Sequence, residues 1–444
     1  MPLLTSGLTR RAAIRQLAAT GLAFPAVLRV HAGAAPSETL YHASIGASGM
    51  GGADLHSITA SRHVKLVAVA DVDLRHTAHV QKQFPDVRVY QDWRELLDKE
   101  KHLDSVNVST PDHMHAPITM SAMERGLNVY TQKPLTQTVY EARQVARVAR
   151  EKKLVTQMGI QIHSHEIHRL VVELIRKKAI GRVKEVHSWS GKHWGDPRPR
   201  PNRGDPVPAQ LNWNFWLGVA KERPFIAGYY HPGEWRKRLD FGTGTFGDMG
   251  CHILDPVFTS LALTAPLSLR SEGGAPNKDN WGMDSQVRYI FPQTEHTTES
   301  LTLYWYDGDK RPPGPIKALI GKRELSDQGS IYIGTEGVLY SPYIEVPILL
   351  PEERFKDYKL PRPDSADHYL QFVNACRGEG KTSAPFAYSG PLTESVLLGC
   401  LATRFPRTTL QWDAEALKVT NVSEANHFVR RRYRKGWEVP GLSS

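Results

Sequence analysis

Leu40-Tyr41-His42-Ala43-Ser44-Ile45 runs directly into Gly46-Ala47-Ser48-Gly49-Met50-Gly51-Gly52, and the next apolar run, Val64 to Ala70, ends on Asp71. A short apolar strand, a glycine-rich turn, a helix from about Ala53 and a second strand closed by an acidic residue make up the first unit of a dinucleotide-binding α/β sheet. The turn reads Gly46-x-Ser48-x-x-Gly51, with serine where the second glycine is usual. Backbone N–H groups of such a turn, with the N-terminus of the following helix, meet a pyrophosphate. A carboxylate at Asp71 accepts both ribose hydroxyls and repels a 2′-phosphate, which favours NAD over NADP, while Arg75 keeps NADP open. The expected contacts on this side are Gly46, Ser48, Gly49, Met50, Gly51 and Asp71, with the Ser48 hydroxyl near the phosphates.

Outward from this unit the chain keeps a strand–helix rhythm. Asp92 with Glu95 predicts a capping box for a helix over Trp93–Lys99, and Ser105–Val108 a strand. Residues 116–125 predict a helix stopped by Gly126, and Leu127–Thr131 a strand. Thr138 with Glu141 caps a helix to about Lys152, and Leu154–Met158 is a last strand. Beyond Gly159 the pattern changes. An amphipathic helix over about Ser164–Lys178 and a strand, Val183–Ser190, precede an irregular stretch with five prolines between Pro197 and Pro208. Gln286–Phe291, Ser300–Tyr306, Gly329–Tyr332 and Gly337–Tyr340 alternate apolar and polar residues, as a meander of antiparallel strands does. Helices over about Ala366–Arg377 and Leu392–Arg404 pack back on the body. The expected organisation is a Rossmann domain at 36–158 and a substrate and oligomerisation α/β domain at 159–444.

The first thirty-five residues are set apart. Thr9-Arg10-Arg11-Ala12, a weakly apolar run from Leu17 to Val30 and Ala32-Gly33-Ala34 form a twin-arginine export signal, so a periplasmic or otherwise exported protein is expected. A chain of 444 residues with 40% hydrophobic and 23% charged residues is a folded soluble protein of two domains. Three cysteines without metal spacing make neither a disulfide framework nor a zinc site. The charge of +10 is scattered except for Arg430-Arg431-Arg432-Tyr433-Arg434-Lys435, read as a solvated or subunit-contacting tail. No recognition motif accompanies it, so nucleic acid is not an expected partner. No apolar stretch is long enough to span a bilayer.

Ser109-Thr110-Pro111-Asp112-His113-Met114-His115 and Gln132-Lys133-Pro134-Leu135-Thr136 resemble two motifs of the glucose–fructose oxidoreductase / inositol dehydrogenase (Gfo/Idh/MocA) family. A third match is Gly242-Thr-Gly-Thr-Phe-Gly-Asp248-Met-Gly-Cys-His252-Ile-Leu-Asp255, similar to the family's glycine-rich lead into a helix bearing D-x-x-x-H. The resemblance covers roughly residues 39–410. It implies a Rossmann domain followed by an α/β domain with an open, mostly antiparallel sheet, and a dimer or tetramer built through that sheet. It also implies that Ser109, Thr110, Pro111, His113 and His115 cover the nicotinamide side and that Lys133 stands at the reaction centre beside Gln132. The family has glutamate where this chain has Gln132. Loss of an adjacent anion favours the neutral amine of Lys133 relative to that pattern.

Oxidising a secondary alcohol needs a base for the hydroxyl proton and a donor for the developing oxyanion. Lys133 and His252 are the candidates. On a helix over 247–260, Asp248, His252 and Asp255 fall on one face, so Asp248 is placed to orient the imidazole, raise its basicity or bind a sugar hydroxyl, and Asp255 to contact substrate. His163, His165 and His168 form a second cluster. Its i, i+2 spacing does not share a helix face and no carboxylate pair reinforces it, so no metal is expected and His163 and His165 are candidate sugar contacts. Seven of the ten tryptophans fall between Trp189 and Trp305. Core packing accounts for about half of them, and Trp194 and Trp235-Arg236 are the ones placed to stack on sugar C–H faces.

Free NAD is scarce outside the cytoplasm, so an exported enzyme must retain and regenerate its cofactor. One function that fits is hydride transfer at a secondary hydroxyl of a sugar or glycoside with tightly held NAD(P). A second is redox-neutral glycoside cleavage by transient oxidation, often at C3, then elimination, hydration and re-reduction. A third, outside enzymes, is a sugar-binding protein on the same fold; Lys133, Asp248 and His252 argue against it.

Overall fold

The computed structural model describes residues 38–443, and the expected export signal lies outside them. Six parallel strands form the first sheet: β1 (Leu40–Ile45), β2 (Val64–Ala70), β3 (Arg88–Tyr90), β4 (Ser105–Val108), β5 (Asn128–Gln132) and β6 (Thr156–Gly159), in the order β3-β2-β1-β4-β5-β6. The helices between them are α1 (Met50–Thr59), α2 (Ala78–Gln83), α3 (Trp93–Lys99), α4 (His115–Glu124) and α5 (Val139–Glu151). Strand order reverses between β1 and β4, and the crevice at such a switch point is where this fold takes a ligand. Helix α5 begins at the expected capping box: Thr138 Oγ1 accepts the Glu141 N–H, and the Glu141 carboxylate accepts the Thr138 N–H at 2.9 Å. Helix α3 has only half of its predicted box. Asp92 accepts the Arg94 N–H, but Glu95 turns outward to Lys99 one turn on, where an exposed ion pair competes for it.

The second sheet has nine strands: β7 (Val183–Ser190), β8 (Ser268–Gly273), β9 (Gln286–Phe291), β10 (Thr297–Asp307), β11 (Gln328–Gly334), β12 (Val338–Pro342), β13 (Ile348–Leu350), β14 (Thr409–Asp413) and β15 (Lys418–Val419). Their order is β13-β12-β11-β7-β10-β9-β8-β14-β15. The expected meander is therefore interrupted. β7 slots between β10 and β11, parallel to the first and antiparallel to the second, because its run from Val186 to Ser190 is buried throughout and so takes a central position. Helices α6 (Glu166–Arg176) and α8 (Gly244–Leu261) cover the inner face, with α7 (Trp213–Leu217) in the loop-rich segment before α8. Two C-terminal helices, α9 (His368–Cys376) and α10 (Phe386–Ala402), return to the first sheet, where α10 packs along α5 and α9 against α1. Among the described residues no helix is long and apolar enough to cross a membrane.

The basic C-terminal run is not a solvated tail. Arg431 hydrogen-bonds the Gln137 side chain, Tyr433 Oη donates to Glu141 at 2.7 Å, and Arg434 donates to the carbonyls of Gly218 and Asn214 at 3.0 Å. Trp437, Val439 and Leu442 are buried beyond it. Arg431 and Arg434 are spent on backbone carbonyl and side-chain amide acceptors far away in sequence, which a charge count along the chain does not reveal.

Candidate active site

A cleft of about 570 Å³ opens at the β1/β4 switch point and runs to the N-terminal half of α8. Its floor is the glycine turn. A Cβ on Gly46, whose φ is +102°, would stand 2.3 Å from the Ser109 carbonyl oxygen, so β1 and β4 approach here only with glycine. Gly49 differs: at φ +57° it caps α1 with no side-chain cap, and a Cβ there meets open space. The first-turn N–H groups of α1 thus face the cleft without a protein side chain in front of them, the cradle that a pyrophosphate fills. At the far end Asp71 Oδ2 accepts the Ala47 N–H at 3.0 Å and Oδ1 the Asp73 N–H at 2.9 Å, which holds the carboxylate beside the turn. Arg75 is turned away, with Nε on Asp73 at 2.8 Å, so no guanidinium waits beside Asp71 for a 2′-phosphate.

The other end holds the candidate reaction centre. Lys133 Nζ donates to Asp248 Oδ1 at 2.7 Å and to the Asp248 carbonyl at 2.8 Å. Trp194 Nε1 donates to Asp248 Oδ2 at 2.9 Å. Burial alone would raise the Asp248 carboxyl, but the Lys133 ammonium, with Arg236 and Lys192 behind it, holds it well below the usual carboxylate range. From sequence, Asp248 was expected to orient the His252 imidazole, raise its basicity or bind a sugar hydroxyl; its carboxylate oxygens instead meet Lys133 and Trp194, because α8 aims residue 248 across the cleft at the loop after β5. His252 borders the same cleft. Its Nδ1 is buried with no hydrogen-bond partner among the described residues. Desolvation, and then the Lys133 charge, push this imidazole down to about 3, so it is neutral.

Most sequence-predicted residues line the cleft: Gly46, Ser48, Gly49, Met50, Gly51, Asp71, Ser109, Thr110, Pro111, His115, Gln132, Lys133, Trp194, Trp235, Arg236, Asp248 and His252. Four do not. His113 is buried behind its loop, with Nε2 on the Trp216 carbonyl at 3.1 Å and its ring edge-on to Phe241. Asp255, one helical turn below His252, is fully buried under α6 and accepts from Tyr388. His163 and His168 both set Nδ1 against it, at 3.0 and 3.1 Å, so a carboxylate does join that histidine cluster, arriving from α8 rather than from nearby in sequence. His165 caps α6 by accepting the Ile167 N–H. His163, His168 and Asp255 thus join the α6, α8 and α10 segments, His113 packs behind its loop, and none of the four predicted residues is on the cleft wall.

Residues 42–160 match the oxidoreductase family, NAD-binding Rossmann fold, and residues 179–297 the same family's C-terminal alpha/beta domain. The chain belongs to the Gfo/Idh/MocA oxidoreductase family. Levoglucosan dehydrogenase of Pseudarthrobacter phenanthrenivorans is 25% identical over 191 residues, 43% of this chain and 40% of that protein. 2,7-Anhydro-N-acetylneuraminate hydratase of Mediterraneibacter gnavus is 26% identical over 163 residues, 36% of this chain and 42% of its own length. The matched region therefore spans less than half of either relative. In fold, the WlbA dehydrogenase of Bordetella pertussis, solved with NADH and UDP-GlcNAcA, superposes with a TM-score of 0.61 over 84% of this chain and 99% of that one at 12% identity.

Within this Gfo/Idh/MocA chain, Gln132 has a local cause. Its amide donates to both oxygens of Asp54 at 2.9 and 3.0 Å, and its Oε1 accepts the Lys133 backbone N–H. Asp54, on α1, also accepts from Ser109 Oγ at 2.6 Å and Tyr369 Oη at 2.9 Å, yet burial still raises it to about 6. A glutamate at 132 would set two buried carboxyls together; the amide supplies donors instead. The expectation that Lys133 lacks an adjacent anion is not met: Gln132 turns to Asp54, and Asp248 supplies the anion beside the lysine.

Three contributors were missed from sequence. Asp112, inside a motif that was quoted, lines the cleft with Oδ2 on Thr243 Oγ1 at 2.7 Å. Lys192 stands two residues before Trp194. The third is an aromatic strap over the ribose end. Leu211, Trp216, Phe225, Tyr230, Trp235 and Phe241 form a small core of their own. It is tied to the first domain by the Asn212 N–H on the Val72 carbonyl at 2.8 Å, Leu74 N–H on Gln210 at 3.0 Å, and His231 Nε2 on Asp73 at 3.0 Å. Its tryptophan spacing was the available signal, but proline-rich sequence gives no periodicity to read.

Proposed function

We propose that this protein transfers hydride at a secondary hydroxyl of a sugar or glycoside, with NAD held tightly between turns of catalysis. The observation that carries this is the convergence of Lys133, Asp248 and His252 on the end of a cleft whose other end is the dinucleotide cradle. Bound NAD supplies the hydride acceptor. His252 and Lys133, both in the cleft wall, are the groups placed to take the hydroxyl proton. With the proton on His252, the Lys133 ammonium, fixed by Asp248, donates to the oxygen as charge develops on it. Trp194, half-buried on the cleft wall, borders the substrate end, where Arg236 lies against it and against the buried Trp235. The strap supports retention by holding a packed aromatic core against Val72 and Asp73, next to Asp71 at the dinucleotide end of the cleft.

A redox-neutral outcome uses the same opening step. A relative named for hydration of an anhydro sugar, beside one named for dehydrogenation, supports keeping it. The test is to purify the protein, measure bound NAD(H), and assay free sugars and aryl glycosides with no cofactor added. Sugar oxidation dependent on a carbonyl acceptor supports net hydride transfer; glycoside cleavage with the nicotinamide unchanged at the end supports the redox-neutral route. Lys133→Ala and His252→Ala should each lower kcat by roughly 100-fold or more. Undiminished turnover in both variants would remove the assignment.

A further inference from the structure

The substrate end of the cleft is short of negative charge. Lys133, Lys192 and Arg236 reach a single ionised carboxylate, Asp248, at 2.7, 3.7 and 3.6 Å. The other acid nearby, Asp112, is buried on the Thr243 hydroxyl, and burial raises it to about 7. Asp248 hydrogen-bonds Lys133 and Trp194, so among the described residues the two outer cations share that one carboxylate only at longer range.

Arg236 is also built to receive one. Its guanidinium lies over the Trp235 ring at 4.3 Å and the Trp194 ring at 5.4 Å, which fixes its plane and strips water from its faces. Its one direct hydrogen bond is a long contact, 3.4 Å, to the Gly233 carbonyl, so most of its five donors are uncommitted. A fixed, poorly hydrated fork with free N–H groups suits a planar carboxylate in two-point contact. The Lys192 side chain, 44% exposed on the same rim, adds a second charge. A neutral pyranose would leave the Arg236 fork with most of its donors unused and three cations sharing one carboxylate, an imbalance that an anionic group removes.

We propose that the sugar this site accepts carries an anionic group, a carboxylate as in a uronic acid or its glycoside, seated on Arg236 and Lys192. This rests on the reading of the cleft as a sugar site. The experiment uses the purified protein with its cofactor and compares D-glucuronate, its methyl ester, D-glucose and glucose 6-phosphate. Binding is followed by tryptophan fluorescence and turnover by nicotinamide absorbance. Glucuronate should bind at least about tenfold more tightly than glucose or the ester, a preference lost in Arg236→Gln and reduced by roughly threefold in Lys192→Gln. Preference for the phosphate over glucuronate supports the anion seat and assigns its group as phosphoryl. Equal binding of acid, ester and glucose overturns the inference while leaving hydride transfer standing. So does an Arg236→Gln protein, folded by circular dichroism, that weakens all four alike while Lys192→Gln changes none. No response to any sugar overturns both readings together.

Discussion

At the scale of single residues, environment rather than identity sets the chemistry of the cleft. Asp248 and Asp112 are both aspartates in its wall, and their surroundings drive them in opposite directions. Three cations hold Asp248 ionised, while Asp112 is desolvated and meets one hydroxyl. For Asp112 the folded carboxyl at about 7 lies above its ordinary 3.8, so the native state keeps a proton that the unfolded chain releases. Its contribution to stability is full below the lower value and lost as pH rises through the higher one, on the order of 4 kcal/mol in all. Asp112→Asn keeps an acceptor for Thr243 and should flatten that slope. Urea midpoints of wild type and variant, compared on either side of neutrality, check it, and parallel pH profiles would refute it. The same balance explains Gln132, whose amide lets a buried Asp54 carboxyl share one pocket with the motif lysine's backbone.

At the scale of elements, two glycines of one turn do different work. Gly46 is confined by the Ser109 carbonyl, whereas Gly49 faces open cleft, both at positive φ. Gly46→Ala should therefore destabilise the fold by about 2 kcal/mol or more, from strain and a backbone clash together. Gly49→Ala should cost about 1 kcal/mol of stability but lower NAD affinity more than tenfold, because its methyl stands where the phosphates approach. Thermal unfolding without cofactor and NAD titration separate the two effects. Similar losses in both assays for both variants would show that the turn acts as one structural unit. Helix α8 has a comparable division of labour. Asp248 and His252 face the cleft, and Asp255 below them neutralises His163 from α6's leading turn.

At the scale of the molecule, buried neutral histidines couple the two sheets to pH. His42, His115, His168 and His368 are pushed down by burial to about 4, and His113 and His252 to about 3. In the unfolded chain each takes a proton near 6.5, so their stabilisation is present above that value and lost as pH falls toward the folded ones. Acting together they should unfold the protein at about pH 5, in the direction opposite to Asp112. Tryptophan fluorescence against pH measures it, and a native signal persisting below about pH 4 would contradict it. The C-terminal run adds a second whole-molecule device: Arg431, Tyr433 and Arg434 join the first domain's α5 to the strap and to the segment after α7.

What the sequence by itself determined was everything governed by local order. The strand Leu40–Ile45, the glycine turn, Asp71 and the Thr138/Glu141 cap are short-range patterns whose geometry follows from backbone conformation and alternation. The cleft-lining lysine, histidine and tryptophans were legible for the same reason, since each sits in or beside such a pattern. Only the tertiary structure decided which charged groups meet. It turned Asp248 to Lys133 instead of His252, sent Asp255 to the α6 histidines, gave Gln132 its Asp54 and threaded β7 between β10 and β11. Those pairings join residues dozens to hundreds of positions apart. They are fixed by which buried polar groups lack partners after the chain has packed, a quantity no local stretch contains.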